Sequence, residues 1–257
     1  MEPIGYYHYA HSFVRGNWRS TKIANFMLMS KSCHDLDWLR YIVGADCRRV
    51  SSFGSLEYFN AAHRPKRASE RCVTCAVAAD CPYSAQRIYL GAYDLGYREW
   101  PVDVLVKPVT REGVEAAIAS GPYGRCVFAC DNDVVDRQVV NLEYSNGVVA
   151  TFTAAAFTQM GNRRFTILGT RGELRCDGTH IDVFEFMKET TERLGLELPA
   201  LGHADGDEGL IESFVAAVVS GTPALVRSSP SESLESHLTA FAGERARLSG
   251  TVETIRL

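Results

Sequence analysis

Residues 28–44 read Leu-Met-Ser-Lys-Ser-Cys-His-Asp-Leu-Asp-Trp-Leu-Arg-Tyr-Ile-Val-Gly, and this stretch decides the fold that we expect around the functional site. Its apolar residues predict one helix that packs against a core. The helix is expected to end at Gly44, because glycine readily adopts the left-handed conformation of a helix cap. Lys31, His34 and Asp37 follow one another at three-residue spacing, which places them side by side on the helix.

These three residues are the groups that a proton-transfer site requires. A histidine titrates near neutral pH, and a carboxylate one turn away can hold its ring and favour its protonated form. A lysine one turn earlier can donate a hydrogen bond to a substrate oxygen. We therefore take Lys31, His34 and Asp37 as candidate catalytic residues. The alternative is that His34 is a hydrogen-bonded core residue and that Lys31 and Asp37 belong to a solvated face.

The composition excludes several classes of protein. Of the 257 residues, 46% are hydrophobic and 23% are charged, as in ordinary soluble globular proteins. The net charge of −4 argues against a nucleic-acid surface, which needs a basic patch. No run approaches the ~18 apolar residues of a membrane span, and the N-terminus lacks a basic region followed by an apolar one. We expect a cytoplasmic protein.

Aromatic and basic residues dominate the N-terminal segment. Residues 4–10 are rich in aromatics, which predicts a strand. Residues 11–19 predict a loop, and loops on a rigid scaffold often carry ligand contacts. Arginine suits carboxylates, and tryptophan suits the faces of sugars. The candidate substrate-binding residues are His11, Arg15, Trp18 and Arg19; the alternative is that they are ordinary surface residues.

Three of the eight cysteines form a Cys-x2-Cys-x5-Cys pattern, namely Cys72, Cys75 and Cys81. Two thiolates separated by two residues can hold one tetrahedral ion, and a third nearby nearly completes a closed site. We therefore predict a structural zinc ion, with reduced, buried cysteines as the alternative. The candidates for the fourth ligand are, in order, Cys126, then His63 and Cys130.

The rest of the chain predicts strands joined by turns, with helices at both ends. Asn146-Gly147 is a strong hairpin signal between two period-two segments. The other predicted strands are 48–59, 163–168, 173–176, 180–186 and 251–256, and the other predicted helices are 110–120, 207–220 and 230–249, the second of them preceded by a polar, glycine-rich loop at 202–209. We expect an α+β fold with an open, mainly antiparallel sheet and helices on one face, as one domain over residues 1–257 with a Cys-rich insertion at about 60–90.

Five motifs resemble the C-terminal domain of the Gfo/Idh/MocA oxidoreductases. They are Ala-His-Ser-Phe-Val-Arg-Gly-Asn-Trp-Arg (10–19), Lys-Ser-Cys-His-Asp-Leu-Asp (31–37), Ser-Phe-Gly-Ser-Leu (52–56), Cys-Asp-Asn-Asp-Val-Val-Asp (130–136) and Leu-Gly-Thr-Arg-Gly-Glu-Leu (168–174). The resemblance covers essentially the whole chain. It implies an α/β domain whose sheet presents a substrate site on one side and pairs with another subunit on the other, in enzymes that act with NAD or NADP on sugars, polyols and related compounds.

The resemblance also implies roles for individual residues. His34 matches the acid/base histidine of the family, and Asp37 follows it. Ser30 stands where the family often has an aspartate, so either Lys31 takes over the polar role or the chemistry differs from that of the polyol dehydrogenases. The segment with His11, Arg15, Trp18 and Arg19 would then lie near the substrate.

Two family motifs are missing from the sequence. There is no Gly-x-Gly-x-x-Gly for a dinucleotide pyrophosphate and no Glu-Lys-Pro with its catalytic lysine. We therefore expect the N-terminal Rossmann domain to be absent, no cofactor-binding residues in this chain, and no activity of the chain alone. The leading hypothesis is the substrate-binding and oligomerising half of a sugar or polyol oxidoreductase. The alternatives are a stand-alone carbohydrate- or carboxylate-binding module and part of an NAD-dependent glycosidase.

Overall fold

The computed structural model describes residues 1–195, 204–226 and 229–255, and for residues 204 and 205 it describes the backbone only. Its strands are β1 (Glu2–Pro3), β2 (Cys47–Ser55), β3 (Arg137–Tyr144), β4 (Val149–Ala155), β5 (Phe165–Leu168), β6 (Gly172–Cys176), β7 (His180–Glu185), β8 (Thr190–Gly195) and β9 (Glu253–Thr254). Its α-helices are α1 (Tyr6–Tyr9), α2 (Met27–Ser30), α3 (Cys33–Val43), α4 (Gly91–Asp94), α5 (Arg111–Ser120), α6 (Ala204–Ser220) and α7 (Pro230–Ser249). Short π- or 3-10 helices occur at Ala10–Arg15, Ala61–His63, Cys72–Thr74, Gln86–Leu90, Pro122–Gly124 and Pro223–Leu225.

The strands form two sheets, where the sequence predicted one. The first has the order β1-β4-β3-β2-β9, and the second has the order β5-β6-β7-β8. Every pairing is antiparallel except that of β1 with β4. The α+β class with mainly antiparallel sheets is thus confirmed, and the division into two sheets is a correction that the local strand signals did not contain.

The first sheet buries one face under helices. Side chains of β3 alternate between exposed and buried positions, as expected for a strand with one covered face. The helix α7 packs on that face, where Val50, Val140 and Leu142 are buried, and α3 packs against α7. Gly243 of α7 lies against Leu28, since an added Cβ would stand 2.9 Å from the Leu28 Cδ1. The other face of this sheet carries polar and exposed residues.

The predicted helix over 28–44 is confirmed with a break near its start. α2 and α3 are separated by a turn at Lys31 and Ser32, and α3 ends at Gly44, whose φ is 67° and whose N–H donates to the Arg40 carbonyl at 2.8 Å. The Asn146-Gly147 hairpin is also confirmed, with Gly147 at φ 86°. At both positions the local residues were sufficient to predict the end of the helix and the turn of the hairpin.

The predicted strand over residues 4–10 is wrong, because Tyr6–Tyr9 form a helix that continues as the π-helix Ala10–Arg15. Tyr9, Phe13 and Val14 are completely buried. The Tyr9 ring stacks on Phe13 at 5.2 Å. Aromatic content favoured a strand, but all of residues 10–15 are buried, and a helix that is surrounded by the core carries no amphipathic period that the sequence could show.

The C-terminal helices agree with the sequence prediction. α7 begins with a capping box in which Ser229 accepts from the Glu232 N–H and Glu232 accepts from the Ser229 N–H. Of the predicted loop at 202–209, residues 202 and 203 lie outside the described residues and the rest belongs to α6. The strand predicted at 251–256 is present as the shorter β9, Glu253–Thr254. In the part of the chain that the structure describes, no helix has the length and apolarity needed to cross a membrane.

Candidate active site

Lys31 occupies the turn between α2 and α3 and is held by the first strand. Its Nζ lies 3.3 Å from Glu2 Oε1, and the two side chains are 19% and 9% exposed. Glu2 belongs to β1, which pairs with β4 at the edge of the first sheet. A largely buried ion pair has one fixed geometry, because leaving either charge unpaired is costly. The edge of the sheet therefore fixes where the Lys31 ammonium lies.

Asp35 extends this pair into a cluster of four charges. Arg163 Nε donates to Asp35 Oδ1 at 2.5 Å and lies 3.6 Å from Glu2 Oε2. Asp35 is only 3% exposed, so burial raises its pKa to about 6, with Glu2 adding to the rise and Arg163 opposing it. We refer to Glu2, Lys31, Asp35 and Arg163 as the charged cluster.

His8 lies next to the charged cluster as a neutral imidazole. Burial, followed by the positive charge of Lys31, lowers its pKa to about 4. The imidazole packs against Trp100, with ring centroids 4.8 Å apart. A neutral imidazole beside an ammonium group can accept a hydrogen bond from a substrate hydroxyl at neutral pH.

His34 and Asp37 lie farther along the same helix. His34 is exposed in the first turn of α3, one turn after Lys31. Asp37 Oδ1 accepts a hydrogen bond of 2.6 Å from Ser236 Oγ of α7. The structure therefore places Lys31 and His34 at the N-terminal end of α3, with His34 open to solvent, and ties Asp37 to the neighbouring helix.

His11 and Arg15 are inside the protein. Arg15 is 1% exposed and donates through Nε to the Arg125 carbonyl and through Nη2 to the Tyr83 carbonyl, both at 2.7 Å. His11 Nδ1 is 3.0 Å from the Tyr89 hydroxyl, and burial lowers the pKa of His11 to about 3. These two side chains join the π-helix to the segments packed around it.

Trp18 and Arg19 lie at the surface. Trp18 is 40% exposed and packs against Phe13 at 5.3 Å. Arg19 Nε lies 3.0 Å from Asp131 Oδ1, and the same carboxylate oxygen accepts from Arg125 at 2.7 Å. These hydrogen bonds from Arg19 and Arg125 hold the pKa of Asp131 well below its usual range. Arg19 therefore connects the N-terminal segment to the 130–136 motif.

The predicted zinc site is not found. Cys72, Cys75, Cys81 and Cys126 line one cavity of about 20 Å³ together with Arg15. Nevertheless, within the described residues no group of three or more His, Cys, Asp or Glu side chains is placed to hold a metal ion. The Arg15 guanidinium fills part of this cluster and donates to Cys72 Sγ at 3.4 Å.

Burial raises the pKa of the Cys81 and Cys126 thiols. The two other candidates for the fourth ligand do not complete a site either. His63 is exposed and packs against Tyr58 at 5.3 Å, and Cys130 Sγ donates to the Cys126 carbonyl at 3.3 Å, with its pKa raised by burial to about 11.

Several residues of the site escaped the sequence analysis. Asp35 was next to His34 in the sequence and lies four residues after Lys31, which was an available helical signal. Glu2, His8 and Trp100 carried no spacing signal toward the helix. Arg163 joins the cluster from 128 residues away, and only folding shows that contact.

Comparison with known proteins identifies relatives for most of the chain. The family described as "Oxidoreductase family, C-terminal alpha/beta domain" matches residues 2–200. YteT of Bacillus subtilis (strain 168), which carries the name of an oxidoreductase, is 24% identical over 232 residues, or 82% of this chain and 51% of its own length. The chain thus spans about half the length of the curated relative that it matches.

Solved structures share the fold. An oxidoreductase domain protein from Kribbella flavida superposes with a TM-score of 0.58 at 17% identity, over 93% of this chain and 54% of that protein. Levoglucosan dehydrogenase, solved with NADH and levoglucosan, superposes with a TM-score of 0.54 at 15% identity, over 99% of this chain and 54% of that protein. At these identities the likeness concerns the fold.

Proposed function

The chain belongs to the Gfo/Idh/MocA oxidoreductase family, and on that premise we propose that it provides the substrate site of an NAD- or NADP-dependent oxidoreductase. The substrate class is a sugar, a polyol or a related compound. One neighbour in fold, levoglucosan dehydrogenase, was solved with a sugar derivative and NADH bound, which supports this class at the level of the fold. The proposal assigns nucleotide binding to a domain that these 257 residues do not include, since they contain no Gly-x-Gly-x-x-Gly.

The observation that carries the proposal is the ion pair between Lys31 Nζ and the buried Glu2 carboxylate, 3.3 Å apart. A cation held by a buried carboxylate is preorganised to stabilise negative charge on a substrate oxygen. Beside it, the neutral His8 can accept a hydrogen bond from a second hydroxyl. His34, exposed one turn later, is the proposed base that takes the hydroxyl proton while hydride passes to the nicotinamide.

The remaining predicted residues take different parts in this proposal. Trp18, exposed beside Phe13, is the proposed aromatic contact for the substrate, and Arg19 shapes the nearby surface through Asp131. His11 and Arg15 support the site from the interior of the protein, because both side chains are buried against other protein groups. Asp37 helps to fix the position of α3, because it accepts a hydrogen bond from Ser236 of α7.

Self-association is part of the same proposal. The uncovered face of the first sheet exposes apolar side chains, with Phe53 68% and Val149 74% exposed. Exposed apolar surface on a sheet commonly marks an interface between subunits. A homo-oligomer through this face is therefore expected, and a cytoplasmic location stays a prediction.

Calorimetric titration of the 257-residue protein tests the proposal. D-glucose and myo-inositol are titrated with and without NADH, using the wild type and the variants Lys31→Met and His34→Ala. We expect the wild type to bind at least one of these compounds and Lys31→Met to weaken binding about tenfold, because the charged donor is lost. His180→Ala, a change at an exposed histidine in the second sheet, is the matched control and should bind as the wild type does.

The alternatives give different results. A stand-alone binding module binds the sugar with equal affinity in the presence and absence of NADH, even when the protein is mixed with a nucleotide-binding domain of a relative. Wild-type protein that binds none of these compounds at millimolar concentration would contradict the proposed substrate class. Direct binding of NADH to the chain alone would overturn the assignment of the cofactor site to another domain.

A further inference from the structure

Trp100 is a large aromatic side chain that is both fixed and open to solvent. It lies between α4 and α5, and its ring centroid is 4.8 Å from that of His8 and 5.4 Å from that of His11, with steep angles of 71° and 83° between the rings. Tyr7 adds a third ring at 6.0 Å. Trp100 nevertheless remains 38% exposed. Three aromatic neighbours thus hold the indole while part of it faces solvent.

This arrangement differs from that of a core tryptophan. The completely buried aromatic residues of the core, such as Tyr9 and Phe13, stack on each other inside the fold. An indole held by its neighbours has already lost its rotamer freedom, so a ligand that contacts its exposed part adds little further entropic cost. Tryptophan offers a broad apolar surface for such a contact.

His8 supplies a polar group for a ligand hydroxyl directly beside this surface, because its ring contacts Trp100. Lys31, whose charge acts on His8, is the proposed cationic donor. An apolar ring next to a hydrogen-bond acceptor and a cationic donor matches a cyclic sugar or cyclitol. Such a molecule has a C–H face for the indole and hydroxyl groups at its rim for His8 and Lys31.

We propose that Trp100 stacks on the ring of the substrate and makes the site select cyclic sugars and cyclitols over acyclic polyols. An open-chain polyol presents the same hydroxyl groups but no stable flat C–H face, so it gains less from the indole. The inference rests on the proposed function, because it concerns the same site at Lys31 and His8. It assigns a specificity residue to the segment between α4 and α5, which the sequence analysis did not connect with the site.

The test compares a cyclic and an acyclic compound with nearly the same hydroxyl groups. D-glucose and D-sorbitol are titrated by calorimetry into the wild type, Trp100→Ala and Trp100→Phe. We expect Trp100→Ala to weaken D-glucose binding about tenfold and D-sorbitol binding less than twofold, whereas Trp100→Phe keeps most of the D-glucose affinity. Phe184→Ala, which removes a partly exposed aromatic ring from the second sheet, is the matched control and should leave both affinities unchanged.

The possible outcomes separate this inference from the proposed function. If the wild type binds D-glucose and Trp100→Ala binds it equally well, the stacking role is overturned while the proposed function stands. An equal loss of affinity for D-glucose and D-sorbitol would also overturn the stacking role, because the indole would then not distinguish a cyclic from an acyclic compound. If the wild type binds neither D-glucose nor myo-inositol, the proposed function fails and this inference fails with it.

Fluorescence keeps the test valid if Trp100→Ala loses its fold. D-glucose should change the tryptophan emission of Trp18→Phe, which keeps Trp100, and the double variant Trp18→Phe/Trp100→Phe should lose that change while Trp38 still emits. An unchanged response in the folded double variant would contradict the stacking role.

Discussion

Arg163 Nε lies 2.5 Å from Asp35 Oδ1, and this contact joins the segment before β5 to the first turn of α3. Glu2 reaches the same guanidinium from β1. One arginine thus links the edge of the first sheet, the helix of the candidate site and the start of the second sheet. Since Asp35 is buried, the position of α3 depends on a charge that its own segment does not provide.

Asp35 should make stability fall as the pH rises from about 4 to 6. Its pKa is raised from 3.8 to about 6 in the folded protein, so the folded state binds more protons than the unfolded state in this window. Its contribution is complete below the unfolded pKa and is lost as the pH rises through the folded value. The full effect amounts to about 3 kcal/mol. Asp35→Asn should remove it.

Urea unfolding of the wild type and Asp35→Asn at pH 4, 5, 6 and 7 measures this effect. Other titrating groups are common to both proteins, so the difference between the two free energies of unfolding isolates Asp35. The interaction with Arg163 strengthens as Asp35 ionises and opposes the effect of burial on the Asp35 pKa, so its loss is part of the measured difference. A difference that stays constant from pH 4 to 7 would contradict the raised pKa.

Arg163→Met should destabilise the protein at pH 8 by about 1–2 kcal/mol, because it leaves two buried carboxylates without their shared counterion. The value is kept low because the Arg163 side chain is 42% exposed and water screens part of the interaction. Arg193→Met breaks the exposed pair with Asp182 and serves as the control, with a much smaller loss expected because water screens this pair. In the double variant Arg163→Met/Asp35→Asn, part of the loss should be recovered; equal losses in single and double variants would argue against the charge mechanism.

Replacing Arg15 should cost much more than replacing Arg19. Arg15→Met leaves the buried carbonyls of Tyr83 and Arg125 without their donor, and we expect a loss of about 3–4 kcal/mol in the free energy of unfolding. Arg19→Met removes only a partly exposed ion pair with Asp131, for which about 1 kcal/mol or less is expected. Urea unfolding at pH 7 compares the two variants. Similar losses would mean that the buried hydrogen bonds of Arg15 are not important for stability.

His8 and His11 should remain neutral at pH 5. Burial lowers the pKa of His8 to about 4 and that of His11 to about 3, whereas an unfolded histidine titrates near 6.5. The unfolded state therefore binds more protons below pH 6.5, so these residues contribute stability above that pH that is lost as the pH falls toward 4. NMR titration of the imidazole protons, assigned with His8→Gln and His11→Gln, checks the values. A midpoint above pH 6 for either residue would contradict the prediction.

Part of the candidate site could be predicted from the sequence. Lys31 and His34 were proposed because helix spacing places them one turn apart; in the structure Lys31 lies in the turn before α3 and His34 in its first turn. Their surroundings could not be predicted, because Glu2 and Arg163 come from distant segments and meet the helix only through the packing of the sheets. The cysteine spacing predicted zinc, but the described residues contain no group placed to hold a metal ion, because a spacing rule does not determine where the sulfur atoms lie in the folded chain.

The sequence by itself determined the local elements whose signals depend on neighbouring residues. Gly44 ends α3 and Asn146-Gly147 turns the β3–β4 hairpin because backbone conformation at these positions is set by the residues themselves. Only the tertiary structure decided that residues 6–15 are helical, that the strands form two sheets, and that Asp35 meets Arg163. These outcomes depend on which surfaces are buried against one another, and that free energy belongs to contacts between segments far apart in the chain.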